Sequence, residues 1–342
     1  MTRSPIAVGL AGLGSMGRNH LRVLTELPAF RVAAIADPVA DALAAAETPD
    51  DTARYRKPVE MICDAPIEAV VVAAPTTYHR ELALAAIDRG IPVLVEKPLA
   101  ATPDEAAEII DAAAARHVPV QVGHIERFNP GLRALVGRLD AGSLSEVYSV
   151  SARRTGPFPA RIRDVGVTID LATHDLDVIS WVAAERPERA YAEVARHIHT
   201  SHEDLVVALL HFPSGATGML DVNWLTPVKR RQLVVVGREG MFELDYLTQR
   251  LTFTRLPADS PPDLIAGYAP TFEGETEEIP VEHAEPLRSE LIAFGRTVRE
   301  RIEPEVRAED GLWALALATA LLRSAELHEP VELAAIHPAL AR

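Results

Sequence analysis

Residues 6–122 alternate short, mainly apolar segments with segments of helical pattern, and no other feature restricts the fold of this 342-residue chain as much. Strand-like runs occur at Ile6–Ala11, Arg31–Ala36, Ala69–Ala74, Pro92–Val95 and Val118–Val122, with helices expected at Met16–Leu27, Val39–Glu47, His79–Arg89 and Pro103–Arg116. A strand that is apolar along its whole length is buried on both faces. Strands joined by helices run parallel, so the pattern predicts an α/β domain with a doubly wound parallel sheet. Thr102-Pro-Asp-Glu105 marks one helix start: a hydroxyl cap, a proline at the first helical position and a capping-box glutamate.

After Gly123 the pattern changes. A helical segment at 165–183 precedes longer strand runs, Arg189–Ala195, Leu205–Phe212, Thr217–Trp224, Gln232–Val236, Met241–Asp245 and Leu251–Thr254. Consecutive strands without intervening helices predict an α+β domain with a large, open, mostly antiparallel sheet. The expected division is residues 1–122 and 123–342. Two late helices, Leu287–Arg301 and Glu309–Leu327, are candidates to pack back on the first domain.

Composition narrows the partners. The chain has 34 Lys plus Arg against 49 Asp plus Glu, a formal charge of −15. Such a field repels nucleic acid and anionic membrane, so a small molecule is the expected ligand. The single cysteine, Cys63, cannot form an internal disulfide, and its Met-Ile-Cys setting is that of a buried, inert thiol. The first strand-like run starts at Ile6 without a leader pattern, and a cytoplasmic chain is expected. An open antiparallel sheet has a face to cover, which suggests a homodimer or homotetramer. Lysine is scarce: Lys57, Lys97 and Lys229 are the only three among the 34 basic residues. Most of that skew reflects codon bias. It still singles out each lysine, because arginine cannot replace lysine in proton transfer.

The first strand runs directly into Gly12-Leu-Gly14-Ser15-Met16-Gly17 and a helix. The first glycine permits the tight turn, the second lets a pyrophosphate approach the backbone, and the third lets helix and strand pack closely. The helix N-terminus then offers N–H groups to the phosphates. Asp37 closes the second strand, twenty residues beyond Gly17. A carboxylate there accepts the ribose hydroxyls and repels a 2′-phosphate. Pro38 and Val39 supply no arginine, so the pattern favours NAD over NADP in a Rossmann-type domain.

Two further segments carry chemistry. Glu96-Lys97-Pro98 places a lysine at a carboxyl end of the parallel sheet, the edge where such sheets bind ligands. In Asp170-Leu-Ala-Thr-His174-Asp-Leu-Asp177, helical spacing puts Asp170, His174 and Asp177 on one face. Histidine titrates near neutrality and suits a general base. An aspartate near a helix start with a histidine partner is the plainer account of the same spacing. Two acids and a histidine also suit a metal, but no further ligand clusters with them and none is expected.

Taken together, the glycine loop, Pro75 with His79, Glu96-Lys97-Pro98, and Asp170 with His174 resemble the glucose-fructose oxidoreductase, inositol dehydrogenase and rhizopine-catabolism (Gfo/Idh/MocA) family of NAD(P)-dependent oxidoreductases. The resemblance implies catalysis by Lys97 and His174 with assistance from Asp170. It also implies cofactor contacts at Ala74, Pro75, Thr76, His79, Glu96 and Lys97 beside the loop and Asp37. Two stretches, from Gly123 to Pro130 and from Arg153 to Gly166, resemble those of UDP-N-acetylglucosamine 3-dehydrogenases. That implies a nucleotide-sugar substrate oxidised at carbon 3, with Lys97, Arg127, Asn129, Arg153, Arg161, Arg163, Asp170 and His174 as substrate contacts. Four arginines and one acid between Arg153 and Asp164 give a local charge of +3, which suits a diphosphate. Two alternatives stand beside this reading: a dehydrogenase of free inositol or another polyol, which needs no arginine cluster, and a non-catalytic NAD-binding sensor.

Overall fold

The computed structural model of the chain describes residues 4–159, 165–256 and 274–341. The chain divides into two compact units, one of residues 1–128, 285–317 and 336–342 and one of residues 129–284 and 318–335.

The first unit is built on β1 (Ile6–Ala11), α1 (Ser15–Glu26), β2 (Phe30–Ala36), α2 (Ala40–Ala44), β3 (Ala53–Tyr55), α3 (Pro58–Asp64), β4 (Ala69–Val72), α4 (His79–Asp88), β5 (Val93–Glu96), α5 (Pro103–Arg116) and β6 (Val120–Gly123). The strands form a parallel sheet in the order β3-β2-β1-β4-β5-β6, with the order reversing beside β1. That reversal opens a crevice at the carboxyl ends of β1 and β4. β1 and β4 are buried at every position, as expected for strands covered on both faces. The expected cap of α5 forms: the Thr102 side chain accepts from the Glu105 N–H at 3.2 Å, and the Glu105 carboxylate accepts from the Ala101 N–H at 3.0 Å.

Sequence patterning does not show β3 or α3, whose residues are too few and too polar to carry a period. α3 also corrects Cys63. The helix turns Met61 and Ile62 inward and the next residue outward, so the thiol is exposed.

The second unit contains α6 (Pro130–Asp140), β7 (Val147–Thr155), a π-helical turn at Thr168–Ala172, α7 (Thr173–Ala183), β8 (Arg189–Ala195), β9 (Leu205–His211), β10 (Thr217–Asn223), β11 (Arg230–Gly237), β12 (Gly240–Asp245), β13 (Arg250–Arg255) and β14 (Thr276–Ile279). The chain then forms α8 (Pro286–Glu300), α9 (Ala308–Leu327) and β15 (Val331–Glu332). Among the described residues the second sheet has nine strands, ordered β14-β13-β12-β11-β7-β10-β9-β8-β15. It is antiparallel except where β7 pairs with β10, so it is a mixed sheet with an α/β first unit beside it in the chain. α8 belongs to the first unit; α9 contributes residues 308–317 to the first and 318–327 to the second.

Candidate active site

In the glycine loop, Gly12 lies at φ 96°, and a Cβ on it would come 2.5 Å from the Ala73 carbonyl oxygen. A Cβ on Gly17 would come 2.0 Å from the carbonyl oxygen of Gly12. No other residue fits either place. A Cβ on exposed Gly14 would meet nothing within 4 Å, so the space over the loop is open. α1 starts at Ser15 and Met16 with no side-chain cap and no acid in its first turn. Its leading N–H groups and positive dipole end are therefore suited to receive an anion. These residues fit the pyrophosphate of a dinucleotide.

Asp37 is almost fully buried and serves this loop in a second way. One carboxylate oxygen accepts from the Leu13 N–H and the other from the Val39 N–H, each at 2.8 Å. A carboxylate has about four acceptor positions, so both oxygens keep capacity for ribose hydroxyls. Arg56, distant in sequence, donates to the Pro38 carbonyl at 2.5 Å and brings a cation to this strand end. Asp37→Ala should therefore shift the ratio of NADPH to NADH affinity by about tenfold or more toward NADPH, the effect of losing one repulsive or hydrogen-bonding charge. Titration with each cofactor checks this, and an unchanged ratio would remove Asp37 from cofactor selection.

At the next strand ends, Ala74 and Pro75 lead into a short turn at Thr76–Tyr78, all of it at least partly exposed. His79 is different: it is 1% exposed, with Nδ1 2.8 Å from the Pro98 carbonyl and Nε2 2.9 Å from the Ala74 carbonyl. Burial pushes its pKa below the ordinary histidine value against the pull of the two carbonyls, and the neutral ring, with its single N–H, donates to one of them at a time. His79 thus ties the turn after β4 to the Pro98 turn after β5.

Glu96 is also held inside the unit. It is buried, one oxygen lies 2.6 Å from Nε2 of His20, and the other accepts from the Lys97 N–H at 3.3 Å. Burial pushes this carboxyl up, and the hydrogen bond and charge of His20 outweigh that, leaving it below the usual carboxylate range. An ionised Glu96 thus sits under the turn that carries half-buried Lys97.

In the second unit, Asp170 lies in the π-helical turn and His174 in the first turn of α7. The wider turn breaks the regular period, and π turns are frequent at functional sites. Asp170 and His174 keep partial exposure, whereas Asp177 is 3% exposed and lies within the packed side of α7. The expected common face of three residues is thus a pair. Glu203 fastens the start of the turn, its carboxylate accepting from the Thr168 N–H at 3.0 Å. Asp170 lines a cavity of about 340 Å³ together with Phe158, Trp224, Lys229 and Arg231. Those four residues escaped sequence reasoning, and only the rarity of lysine pointed to one of them, Lys229.

The proposed substrate arginines separate. Successive strand residues face opposite sides of a sheet, so Arg153 and Arg154 on β7 part company. Arg154 is buried and bidentate on Asp175 at 2.6 and 3.0 Å. Arg153 faces the other side and pairs with Asp221 at 3.1 Å. In the first unit Arg127 pairs with Asp310 at 3.4 Å, both largely buried. Asn129 is 2% exposed and caps α6, accepting from the Gly131 N–H at 3.0 Å and donating to the Tyr246 carbonyl at 3.2 Å. Its side chain is engaged as the cap of that helix. Arg161 and Arg163 lie outside the described residues.

Residues 6–124 match the oxidoreductase family with an NAD-binding Rossmann fold, and residues 132–243 match the Gfo/Idh/MocA C-terminal domain. Inositol 2-dehydrogenase 1 of Saccharopolyspora erythraea is 31% identical over 96% of this chain and 96% of its own. The chain belongs to the Gfo/Idh/MocA family. Its cofactor is NAD, in agreement with the open glycine loop and Asp37. Inositol 2-dehydrogenase 2 of the same organism is 33% identical in a match spanning 58% of this chain and 59% of that protein. A solved structure of UDP-N-acetylglucosamine 3-dehydrogenase from Acidithiobacillus ferrooxidans superposes with a TM-score of 0.81 over 94% of this chain and 98% of that one. At 22% identity that likeness extends to the fold alone. No helix among the described residues is long and apolar enough to cross a membrane.

Proposed function

We propose that this family member is an NAD-dependent dehydrogenase of a free cyclic polyol or sugar, which oxidises a ring CH–OH to a ketone. The observation that carries this reading over a nucleotide sugar is the fate of the arginines at the start of the basic stretch. Arg154 is neutralised by Asp175 and Arg153 by Asp221 on the opposite side of the sheet. A diphosphate would have to displace buried or paired charges to use them, at a cost of several kcal/mol for the buried pair. The cavity of about 340 Å³ at Asp170 is large enough for a single ring. Kinship over nearly the whole chain with an inositol 2-dehydrogenase points the same way.

In this reading His174 takes the hydroxyl proton as the C–H electron pair leaves the same carbon. Lys97 donates a hydrogen bond to the reacting oxygen and eases its deprotonation. Asp170 orients His174 or holds a neighbouring hydroxyl. NAD, when bound, supplies the hydride acceptor. Lys229 and Arg231 at the cavity at Asp170 offer donors to further ring oxygens.

A panel of myo-inositol, scyllo-inositol, free hexoses and UDP-N-acetylglucosamine, followed by NADH formation, tests the reading. A free polyol or sugar should give the highest kcat/KM. Turnover confined to the nucleotide sugar would overturn the substrate class and leave the family intact.

A further inference from the structure

Within the first unit, α1, β5 and α8 bring together three buried ionisable residues that the proposed chemistry does not use directly. His20, Glu96 and Glu290 have nitrogen and oxygen atoms that all lie within 4.8 Å of one another. Glu290 is 0% exposed, and neither of its carboxylate oxygens has a hydrogen-bond partner. The Nδ1 of His20 is also buried without a partner, while its Nε2 serves Glu96. A fully buried carboxylate with neither donor nor cation at its oxygens is among the costliest states a side chain can adopt. Two carboxylates with oxygens within 4.8 Å do not both ionise readily; one keeps its proton.

The candidate donors divide clearly. Glu96 already accepts from His20 and from the Lys97 N–H and holds the charge. Burial pushes the Glu290 carboxyl well above its ordinary range, and the charge of Glu96 pushes it further. Packed on α8 are α1, which carries His20 and whose Arg22 and Glu26 pair with Glu285 and Arg288, the turn at Ile125–Phe128, which carries Glu126 and Arg127, and β6, whose Gln121 donates to the Glu290 backbone carbonyl at 3.4 Å. Arg127 is engaged by Asp310, and of all these neighbours it is Glu96 whose charge acts on Glu290.

We propose that Glu290 is a positioning residue, kept as a neutral acid that a side-chain rotation lets donate to Glu96, so that the Glu96–Lys97 turn rests on a floor of His20, Glu96 and Glu290 that carries no second buried charge. Loss of that proton sets two buried carboxylates against each other directly beneath Lys97. The structural half of this inference stands without the dehydrogenase reading; only its kinetic half rests on the role given to Lys97.

The sign of the pH effect follows from linkage. A group whose folded pKa is raised gives stability that is fully present below its unfolded value and is lost as pH rises through the folded one. Glu290→Gln keeps a neutral donor at every pH. Thermal unfolding of wild type and this variant, without substrate, should therefore nearly coincide at about pH 4.5 and separate above it. By about pH 8 the Gln variant should melt about 3 °C or more higher, the equivalent of one pKa unit of displacement. Parallel curves across that range would overturn the proposal. So would a Gln variant less stable at every pH together with about one equivalent of divalent metal, by elemental analysis, in the purified wild type, since that outcome makes the trio a metal site.

The kinetic arm uses Glu290→Met, which fills the space without a donor. The Gln variant should keep wild-type kcat, and the Met variant should lose about tenfold in kcat with KM little changed. Equal kcat in both variants would remove the positioning role. If Glu290→Met does not fold, the comparison of wild type with Glu290→Gln still decides the proton assignment. Absence of turnover in wild type would refute the dehydrogenase reading and leave the unfolding result standing.

Discussion

His174→Ala should lower kcat by about 10²–10⁴-fold, the usual contribution of a positioned general base, while NADH binding stays within about twofold of wild type. The separation follows from where the residues sit. The glycine loop, Asp37 and the strand ends after β4 and β5 belong to the first unit, and His174 opens α7 in the second. Steady-state kinetics on the best substrate and fluorescence titration with NADH measure the two effects. His174→Gln keeps much of the shape and one donor but cannot accept the proton, so it should be about as slow as alanine. Turnover near wild type in either variant would dismiss His174 as the base and move attention to Asp170.

The second large effect is expected at Lys97. Lys97→Ala should cost about 10²–10³-fold in kcat, the scale seen when a donor to a developing oxyanion is removed. Lys97→Arg should recover little of that loss. Arginine keeps a charge, but its fork places donors elsewhere and cannot release a proton. The turn beneath Lys97 is tightly specified: Glu96 accepts the Lys97 N–H, and His79 lies 2.8 Å from the Pro98 carbonyl. The chain chemistry therefore fixes the backbone, and the change reports on the ammonium group. A loss confined to KM for NAD would assign Lys97 to cofactor binding alone.

The parts of the site that are local in sequence were legible there. Gly17 is required by a contact with Gly12 within its own strand-turn-helix, Gly12 by its positive φ, and Lys97 directly follows a strand whose apolar run is plain. The cap at Thr102 and the last two helices were readable for the same reason. What escaped depends on strand parity or on partners far along the chain. Arg153 and Arg154 look equivalent until the register sends one to Asp221 and the other to Asp175. Asn129, placed before Pro130 and Gly131, carries a recognisable helix-start signal. The irregular turn at Asp170 cannot be told from an ordinary helix by periodicity over five residues. Lys229 and Arg231 reach the Asp170 cavity only through the folding of β11 beside β7, and Glu290 reaches Glu96 across 194 positions of sequence.

The central claim is that a ring carbon of a free polyol or sugar gives its hydride to NAD. The most direct measurement supplies the best substrate of the panel with deuterium on its ring carbons and follows the mass of the reduced cofactor. The account predicts one deuterium in each NADH formed, one equivalent of ketone, and a primary isotope effect that grows in His174→Ala as chemistry becomes limiting. Reduced cofactor without deuterium, or no reduction with any free polyol or sugar, would contradict it.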